Sequence, residues 1–228
     1  MRYASHHNFV GTPINGYVQN VCILTKAAAT ALSSAQKEFM SMSPAYTLKL
    51  YDCYRPTMAV HHFKSWAADV NDSLMMLEFY PDMNKSDIIP LGYILEKSGH
   101  SRGSTIDVTL VQYPPSPEEE YHPGNVLKPC YSSISERFGD NSIDMGTGFD
   151  CFDSRAHTDN TLITQQQRKN RQLLHDVLQR YGFYNYPLEW WHFSLQDEPY
   201  VDTYFNFLVS CNATMTVTTP ALSDVGFV

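Results

Sequence analysis

The sequence lacks the patterns that mark several large classes of protein. Its 228 residues contain no run of about 18 apolar residues, so no membrane-spanning helix is expected. No G-x-x-x-x-G-K-S/T or G-x-G-x-x-G pattern occurs, which excludes the common phosphate-binding loops. Positive charge is scarce: 16 Lys and Arg stand against 24 Asp and Glu, and the net charge of −8 argues against a nucleic-acid partner.

Cysteine is sparse, and its spacing does not suggest a metal site. None of the five cysteines forms a C-x-x-C pair, so a thiolate zinc site is not expected. Cys130 and Cys151 bracket a loop-rich segment and are candidates for a disulfide in an oxidising compartment, while the odd count leaves at least one thiol free. The first residues lack the apolar core of a signal peptide. Together with the cysteines, this abrupt start favours a periplasmic protein without its leader over a cytoplasmic one.

Hydrophobic periodicity predicts a mixed fold. Helical spacing occurs over 26–40, in a stretch that begins with Pro56 as the first helical residue, and over 164–181, where Thr164 and Gln167 form a capping box. In the second helix the predicted buried stripe is Ala59, Phe63, Trp66, Ala67 and Val70. Strand patterns cover 46–51 and 105–111, and residues 183–195 are strand-like after Pro187.

These elements predict one α+β domain over residues 1–228, with a mostly antiparallel sheet flanked by helices. With 43% hydrophobic residues, the chain can bury a sizeable core. From about 112 to 143 the periodicity collapses into Pro, Glu, Gly and Ser, which indicates an irregular insertion in the domain. It is either a lid over the cleft or a partner or stability element away from it.

Four residues in two short stretches carry most of the candidate chemistry: His100, Asp107, Glu189 and His192. Two imidazoles and one carboxylate form the ligand set of a catalytic zinc, and a further acidic residue beside it can act as general base. On a regular strand Glu189 and His192 would face opposite sides, so Glu189 must lie in a preceding turn or a bulge must intervene. Spacing alone leaves open that the histidines are ordinary hydrogen-bonded residues.

Other candidates have plainer interpretations. Arg55 lies at a strand-to-helix junction, where it either points into a cleft or pairs with Asp52 on the surface. The pairs His6-His7 and His61-His62 are interpreted as solvated or capping residues.

Several ordered motifs extend over residues 2–207: R-Y-A, Y-D-x-Y-R-P, S-x-H-S-R-G-x-x-I-D, M-G-x-x-F-D-x-F-D, E-W-W-H-F and P-Y-x-D-T-Y-F. In this order they resemble the D-alanyl-D-alanine dipeptidases of peptidase family M15, within the wider group of zinc D,D-peptidases. The resemblance implies a Hedgehog/D,D-peptidase-like fold with a zinc cleft over the sheet. It also implies one zinc ion held by three ligands: His100, Asp107 and His192. Glu189 would be general base and proton donor, and Arg55 would stabilise the tetrahedral intermediate. Ser98 would fix the substrate carboxylate, and Asp150 would pair with its ammonium group.

The implied function is hydrolysis of D-Ala-D-Ala to two D-alanines in a bacterium, for either glycopeptide resistance or cell-wall turnover. The first alternative is a D,D-carboxypeptidase that trims D-Ala from longer peptidoglycan stems, and the second is a zinc-binding domain without turnover. Two features depart from the family pattern. Cys53 stands where the motif most often has glycine, which either alters the backbone beside Arg55 or places a thiol near zinc, and the insertion at 112–143 is unusually long.

Overall fold

A four-stranded antiparallel sheet is the centre of the computed structural model, which describes residues 1–212 and 225–227. In chain order the strands are β1 (Ile23–Thr25), β2 (Tyr46–Asp52), β3 (Thr105–Gln112), β4 (Phe183–Asn185), β5 (His192–Leu195) and β6 (Val225–Phe227). The central sheet has the order β2-β3-β5-β4, and β1 pairs with β6 in a separate two-stranded sheet. The predicted α+β class with an antiparallel sheet is confirmed. The tail or short strand predicted from Ser210 lies largely outside the described residues, apart from β6.

The helices are α1 (Lys26–Met40), α2 (Thr57–Ala68), α3 (Met76–Phe79) and α4 (Gln165–Arg180). In α4 the predicted capping box is present, since the backbone N–H of Gln167 donates to Thr164 and the Gln167 side chain accepts from the Thr164 N–H. Gly182 follows the helix with φ +84°, a conformation that favours glycine. None of the helices in the described part of the chain has the length and apolar character to cross a membrane.

Two details predicted for α2 are wrong. Pro56 is the N-cap residue, with extended backbone, and the helix starts one residue later. The helix ends at Ala68, so Val70 lies beyond it and is 67% exposed instead of buried. The cause is Asp69, whose carboxylate accepts the N–H of Asn71 in a local turn that competes with further helix.

Strand β3 is buried on both faces, and this organises the site. Ile106, Val108 and Leu110 contribute to the hydrophobic core on one face. Thr105, Asp107 and Thr109 point to the opposite face, which neighbouring elements cover just as fully. A carboxylate in such a place needs a counter-charge or a ligand, because an unpaired buried charge is costly.

The irregular segment after β3 packs beside the N-terminal residues. Glu118 forms an ion pair with Lys49 at 2.6 Å, and Tyr121 stacks on His7 with 4.5 Å between ring centroids. The prediction that His7 is solvated is therefore wrong: the residue is buried, with Nε2 2.7 Å from the Glu78 carboxylate. His6 and His61 are exposed.

Candidate active site and metal centre

The turn before β3 presents the first histidine. Residues Gly99–Arg102 form a 3-10 helix whose N-cap, Ser98, accepts the N–H of His100. Gly103 then turns the chain into β3 with φ +80°. His100 is fully buried, and its Nδ1–H donates to the carbonyl of Cys53 at 2.7 Å. This bond fixes the tautomer and leaves the lone pair of Nε2 directed at Asp107.

The second half of the site comes from the turn before β5. The Glu189 N–H donates to Tyr186 and the His192 N–H donates to Glu189, so Glu189 lies in the turn and His192 is the first strand residue. This is one of the two arrangements that the sequence allowed for a common site. Because β5 pairs with β3 in the register His192 to Asp107, the second histidine lies directly beside the carboxylate.

The three predicted ligands converge. The distances are 3.2 Å from His100 Nε2 to Asp107 Oδ1, 3.1 Å from His192 Nδ1 to the same oxygen, and 3.3 Å between the two nitrogens. Ligands held tetrahedrally at about 2.0–2.1 Å from a zinc ion lie about 3.3 Å apart, so the spacing fits. Asp107 Oδ1 is buried and accepts no hydrogen bond within residues 1–212 and 225–227. A cation would satisfy it.

The ionisation of this cluster favours metal binding. Burial alone would raise the pKa of Asp107, but the adjacent imidazoles outweigh it and hold that pKa below its ordinary value. Burial lowers the pKa of His192, which favours the neutral imidazole that a metal requires. Both ligands are thus held in their metal-binding protonation states.

Glu189 lies next to the ligands, with Oε2 3.4 Å from His192 Nδ1. Burial raises its pKa well above the ordinary value, and the negative charges of Asp107 and Asp150 add to this effect. A carboxyl group whose pKa is raised in this way is suited to proton transfer near neutral pH.

Arg55 pairs with Asp52, but not on the surface. Its Nε donates to Asp52 at 2.8 Å and one terminal nitrogen donates to Asp107 at 3.4 Å. The guanidinium lies 5.0 Å from the ring centroid of Tyr3 and 5.1 Å from that of Phe63, and the side chain is 13% exposed. Of the two interpretations for Arg55, the cleft is therefore correct.

Asp150 lies across the cavity, in backbone with φ +56°. Its carboxylate accepts a hydrogen bond from the Tyr3 hydroxyl at 2.9 Å. Burial raises the pKa of Asp150 well above its ordinary value. Tyr3 and Asp52 were missed as site residues by sequence reasoning; the signals available were the R-Y-A and Y-D-x-Y-R-P motifs that contain them.

The residues around this centre enclose a cavity of about 80 Å³. Its polar wall includes all the predicted site residues except the fully buried His100, namely Arg55, Ser98, Asp107, Asp150, Glu189 and His192. The apolar wall comes largely from α2, from residues 92–95 and from Phe152. None of the described lining residues belongs to 112–143, so the insertion does not line the cleft in this structure.

The cysteines form two disulfides, Cys22–Cys53 and Cys130–Cys151, and Cys211 is free and exposed. Cys130 and Cys151, which the sequence offered as candidates for a disulfide, are therefore paired. The suggestion that Cys53 brings a thiol near the metal is wrong, because its sulfur is bonded to Cys22. Cys53 is also not among the described residues with positive φ, so its backbone does not need the glycine that the motif usually has.

An N₂O ligand set, an adjacent carboxyl group with a raised pKa and a largely buried arginine in one small cleft are features of a metal-dependent hydrolase. The family model of Peptidase M15, described as D-ala-D-ala dipeptidase, matches residues 1–114 and 133–210. The chain therefore belongs to this metallopeptidase family. The unmatched residues 115–132 fall inside the irregular insertion.

Curated relatives agree with this assignment. The chain is 40% identical over 209 residues to a D-alanyl-D-alanine dipeptidase of Enterococcus faecalis. This aligned region covers 92% of this chain and 91% of the relative. It is 35% identical over 208 residues to a protein of the same name from Enterococcus faecium, covering 91% and 90% of the two chains. A third, from Streptomyces coelicolor, is 33% identical over 209 residues, covering 92% and 91%.

Proposed function

We propose that this protein is a zinc-dependent dipeptidase that hydrolyses D-Ala-D-Ala to two D-alanines. The observation that carries the proposal is the convergence of His100, Asp107 and His192 at 3.1–3.3 Å beside Glu189, in a cleft with a cationic and an acidic group. Two imidazole nitrogens and one carboxylate oxygen are a typical donor set for catalytic zinc. A zinc ion held by these three residues would lower the pKa of a water molecule and polarise the scissile carbonyl.

Glu189 acts as the proton carrier. It accepts a proton from the attacking water and returns it to the leaving amine, a role supported by its position 3.4 Å from His192 and by its raised pKa. A cation held by the three ligands would oppose the effect of burial on this pKa and would favour the carboxylate form, which is the form that accepts a proton.

Arg55 stabilises the oxyanion of the tetrahedral intermediate. Asp52 and Asp107 orient its guanidinium before substrate binds, which removes the cost of reorganisation during the reaction. Removal of one such donor typically costs about 3 kcal/mol of transition-state stabilisation.

The two ends of the substrate carry opposite charges, and the cleft offers a partner for each. Asp150, with the Tyr3 hydroxyl against its carboxylate, pairs with the ammonium group, and the Ser98 hydroxyl contacts the carboxylate group. An ammonium anchor buried in a small cavity selects a dipeptide over a longer chain, because a longer chain would place a peptide group against Asp150 and leave that carboxylate unpaired.

We also propose an oxidising compartment, such as the bacterial periplasm, as the location of the protein. Two buried disulfides support this, since such bonds persist in secreted and periplasmic proteins and are rare in the cytosol.

The test is D-alanine release from D-Ala-D-Ala and from a pentapeptide that ends in D-Ala-D-Ala. Zinc-free protein, zinc-reloaded protein and zinc-loaded Glu189→Gln are compared. We expect the zinc-reloaded protein to cleave the dipeptide and not the pentapeptide. The zinc-free protein and the Glu189→Gln variant should cleave neither. Release from the pentapeptide would instead indicate a D,D-carboxypeptidase, and bound zinc without turnover of either substrate would indicate a binding domain.

A further inference from the structure

The Cys22–Cys53 disulfide lies directly behind the metal ligands. Cys53 stands between Asp52 and Tyr54, two residues before Arg55, in the segment that leads from β2 to α2. We propose that this disulfide is a positioning device of the active site, which holds the Cys53 carbonyl against His100 and thereby sets the affinity for the metal. The inference rests on the proposed zinc site and extends it to two residues without contact with metal or substrate.

The carbonyl of Cys53 is the partner that orients His100. It accepts the Nδ1–H at 2.7 Å, and this is the bond that directs Nε2 toward Asp107. The carbonyl can do this only while its peptide group keeps its position and orientation. Hydrogen bonds of this kind to ligating histidines typically account for about 10–100-fold in metal affinity or activity.

The disulfide is the covalent member of a closed ring of contacts around His100. Tyr54 N–H donates to the Ile23 carbonyl at 3.0 Å, and Arg55 N–H donates to the His100 carbonyl at 3.3 Å. Thr25 N–H donates to the Gly103 carbonyl at 2.8 Å, which joins β1 to the turn that carries His100. The sulfur–sulfur bond therefore ties β1 to the one segment that contains both the carbonyl and Arg55.

This segment has little regular structure to hold it. Strand β1 is three residues long, the β2–β3 register shifts between Leu50 and Asp52, and residues 53–56 belong to neither β2 nor α2. With so few ladder hydrogen bonds, a covalent link is an efficient way to fix the Cys53 carbonyl. Both cysteines are buried, so the link is also protected from reductants in the folded protein.

Cys130–Cys151 provides a matched control. Both disulfides are buried and close segments of similar length, with sequence separations of 31 and 21, so their loss should affect global stability to a similar degree. The two disulfides differ in their surroundings. Cys151 adjoins Asp150, and neither Cys130 nor Cys151 has a described hydrogen bond to a metal ligand. If Cys22–Cys53 has a purely structural role, loss of either disulfide should affect zinc binding equally. If it positions His100, only the loss of Cys22–Cys53 should weaken zinc binding.

The experiment measures zinc affinity by competition with a chromophoric chelator for wild type, C22A/C53A and C130A/C151A, with near-ultraviolet circular dichroism to verify folding. We expect C22A/C53A to bind zinc at least about 10-fold more weakly, and C130A/C151A to stay within about twofold of wild type. Equal affinity of wild type and C22A/C53A, or equal weakening in both variants, would overturn the inference. If C22A/C53A unfolds in buffer, all three proteins are compared in trimethylamine N-oxide, which favours the folded state.

This design separates the inference from the proposed function. Wild type that binds no zinc would overturn both. Wild type that binds zinc and cleaves D-Ala-D-Ala, with C22A/C53A unchanged in affinity, would overturn only the role of the disulfide.

Discussion

Arg55 allows catalysis and stability to be separated in one set of variants. Among the described Arg and Lys side chains it is the one that contacts both Asp52 and Asp107, and both carboxylates are buried. The variant Arg55→Ala removes the proposed oxyanion donor and leaves the buried Asp52 carboxylate without its ion-pair partner. The loss of activity and the loss of stability differ in size, and a second substitution should reverse only the loss of stability.

The catalytic loss follows from the missing donor. A pre-oriented donor at the oxyanion typically accounts for about 2.7–4 kcal/mol, so kcat should fall about 10²–10³-fold. The stability loss follows from the unpaired charge. Breaking a buried ion pair by removing one partner costs about 3–5 kcal/mol, which we expect for R55A in chemical denaturation at a fixed zinc concentration.

The double variant Asp52→Asn with Arg55→Ala distinguishes the two effects. The Asp52→Asn change keeps an acceptor for the Tyr17 hydroxyl, which donates to Asp52 at 2.6 Å, while it removes one buried charge. We expect the double variant to recover a substantial part of the lost free energy of unfolding and none of the lost kcat. The coupling energy comes from the cycle with D52N alone.

The assay is D-alanine release at saturating D-Ala-D-Ala, with unfolding curves for the same four proteins. Recovery of kcat in the double variant, in parallel with stability, would refute the reasoning. Arg55 would then act only by holding the fold of the site, and another group would have to stabilise the oxyanion.

Three further outcomes follow from the site and its surroundings. Glu189→Gln should lower kcat about 10²–10⁴-fold with zinc retained in equilibrium dialysis, and loss of zinc would contradict a base that is not a ligand. Asp150→Asn should raise KM for D-Ala-D-Ala. In the metal-free protein this variant should also gain stability relative to wild type as pH rises above about 4, the ordinary pKa of an aspartate. The sign follows because burial raises the pKa of Asp150 in the folded protein. The contribution of Asp150 to the free energy of unfolding is therefore fully present below the pKa of the unfolded state and is lost as pH rises toward the pKa of the folded state. A difference in unfolding free energy that stays constant with pH would contradict this. Tyr121→Ala should lower the free energy of unfolding by about 1–2 kcal/mol through lost stacking on His7, with kcat/KM unchanged, and a fall in kcat/KM would show that the insertion reaches the cleft.

The sequence predicted the elements whose signals are local. The capping box at Thr164 and the alternation in 105–111 depend on neighbouring residues, and both match the structure closely. The helix after Pro56 was predicted to extend too far, because apolar spacing through Val70 does not reveal that the Asp69 side chain ends the helix. Local sequence patterns therefore predict the presence of a helix or strand better than the residue at which it ends.

Features that depend on tertiary contacts were beyond such patterns. Tyr3 reaches Asp150 across 147 residues of sequence, and Cys22 pairs with Cys53 because β1 passes behind the residues that follow β2. No spacing rule connects those positions. The metal ligands were an intermediate case, since spacing alone left them open and the ordered family motifs identified them.

The pairing of Asp52 with Asp107 shows why the site could not be inferred from rules of stability. The register shift after Leu50 places these two carboxylates opposite each other on β2 and β3, an arrangement that is unfavourable for like charges. Arg55 offsets part of the cost, yet Asp107 Oδ1 still accepts no hydrogen bond among the described residues. A cross-strand pair of apolar residues would give a more stable sheet at this position. The strand retains a costly carboxylate where two imidazoles converge, and a metal ion bound there would repay that cost.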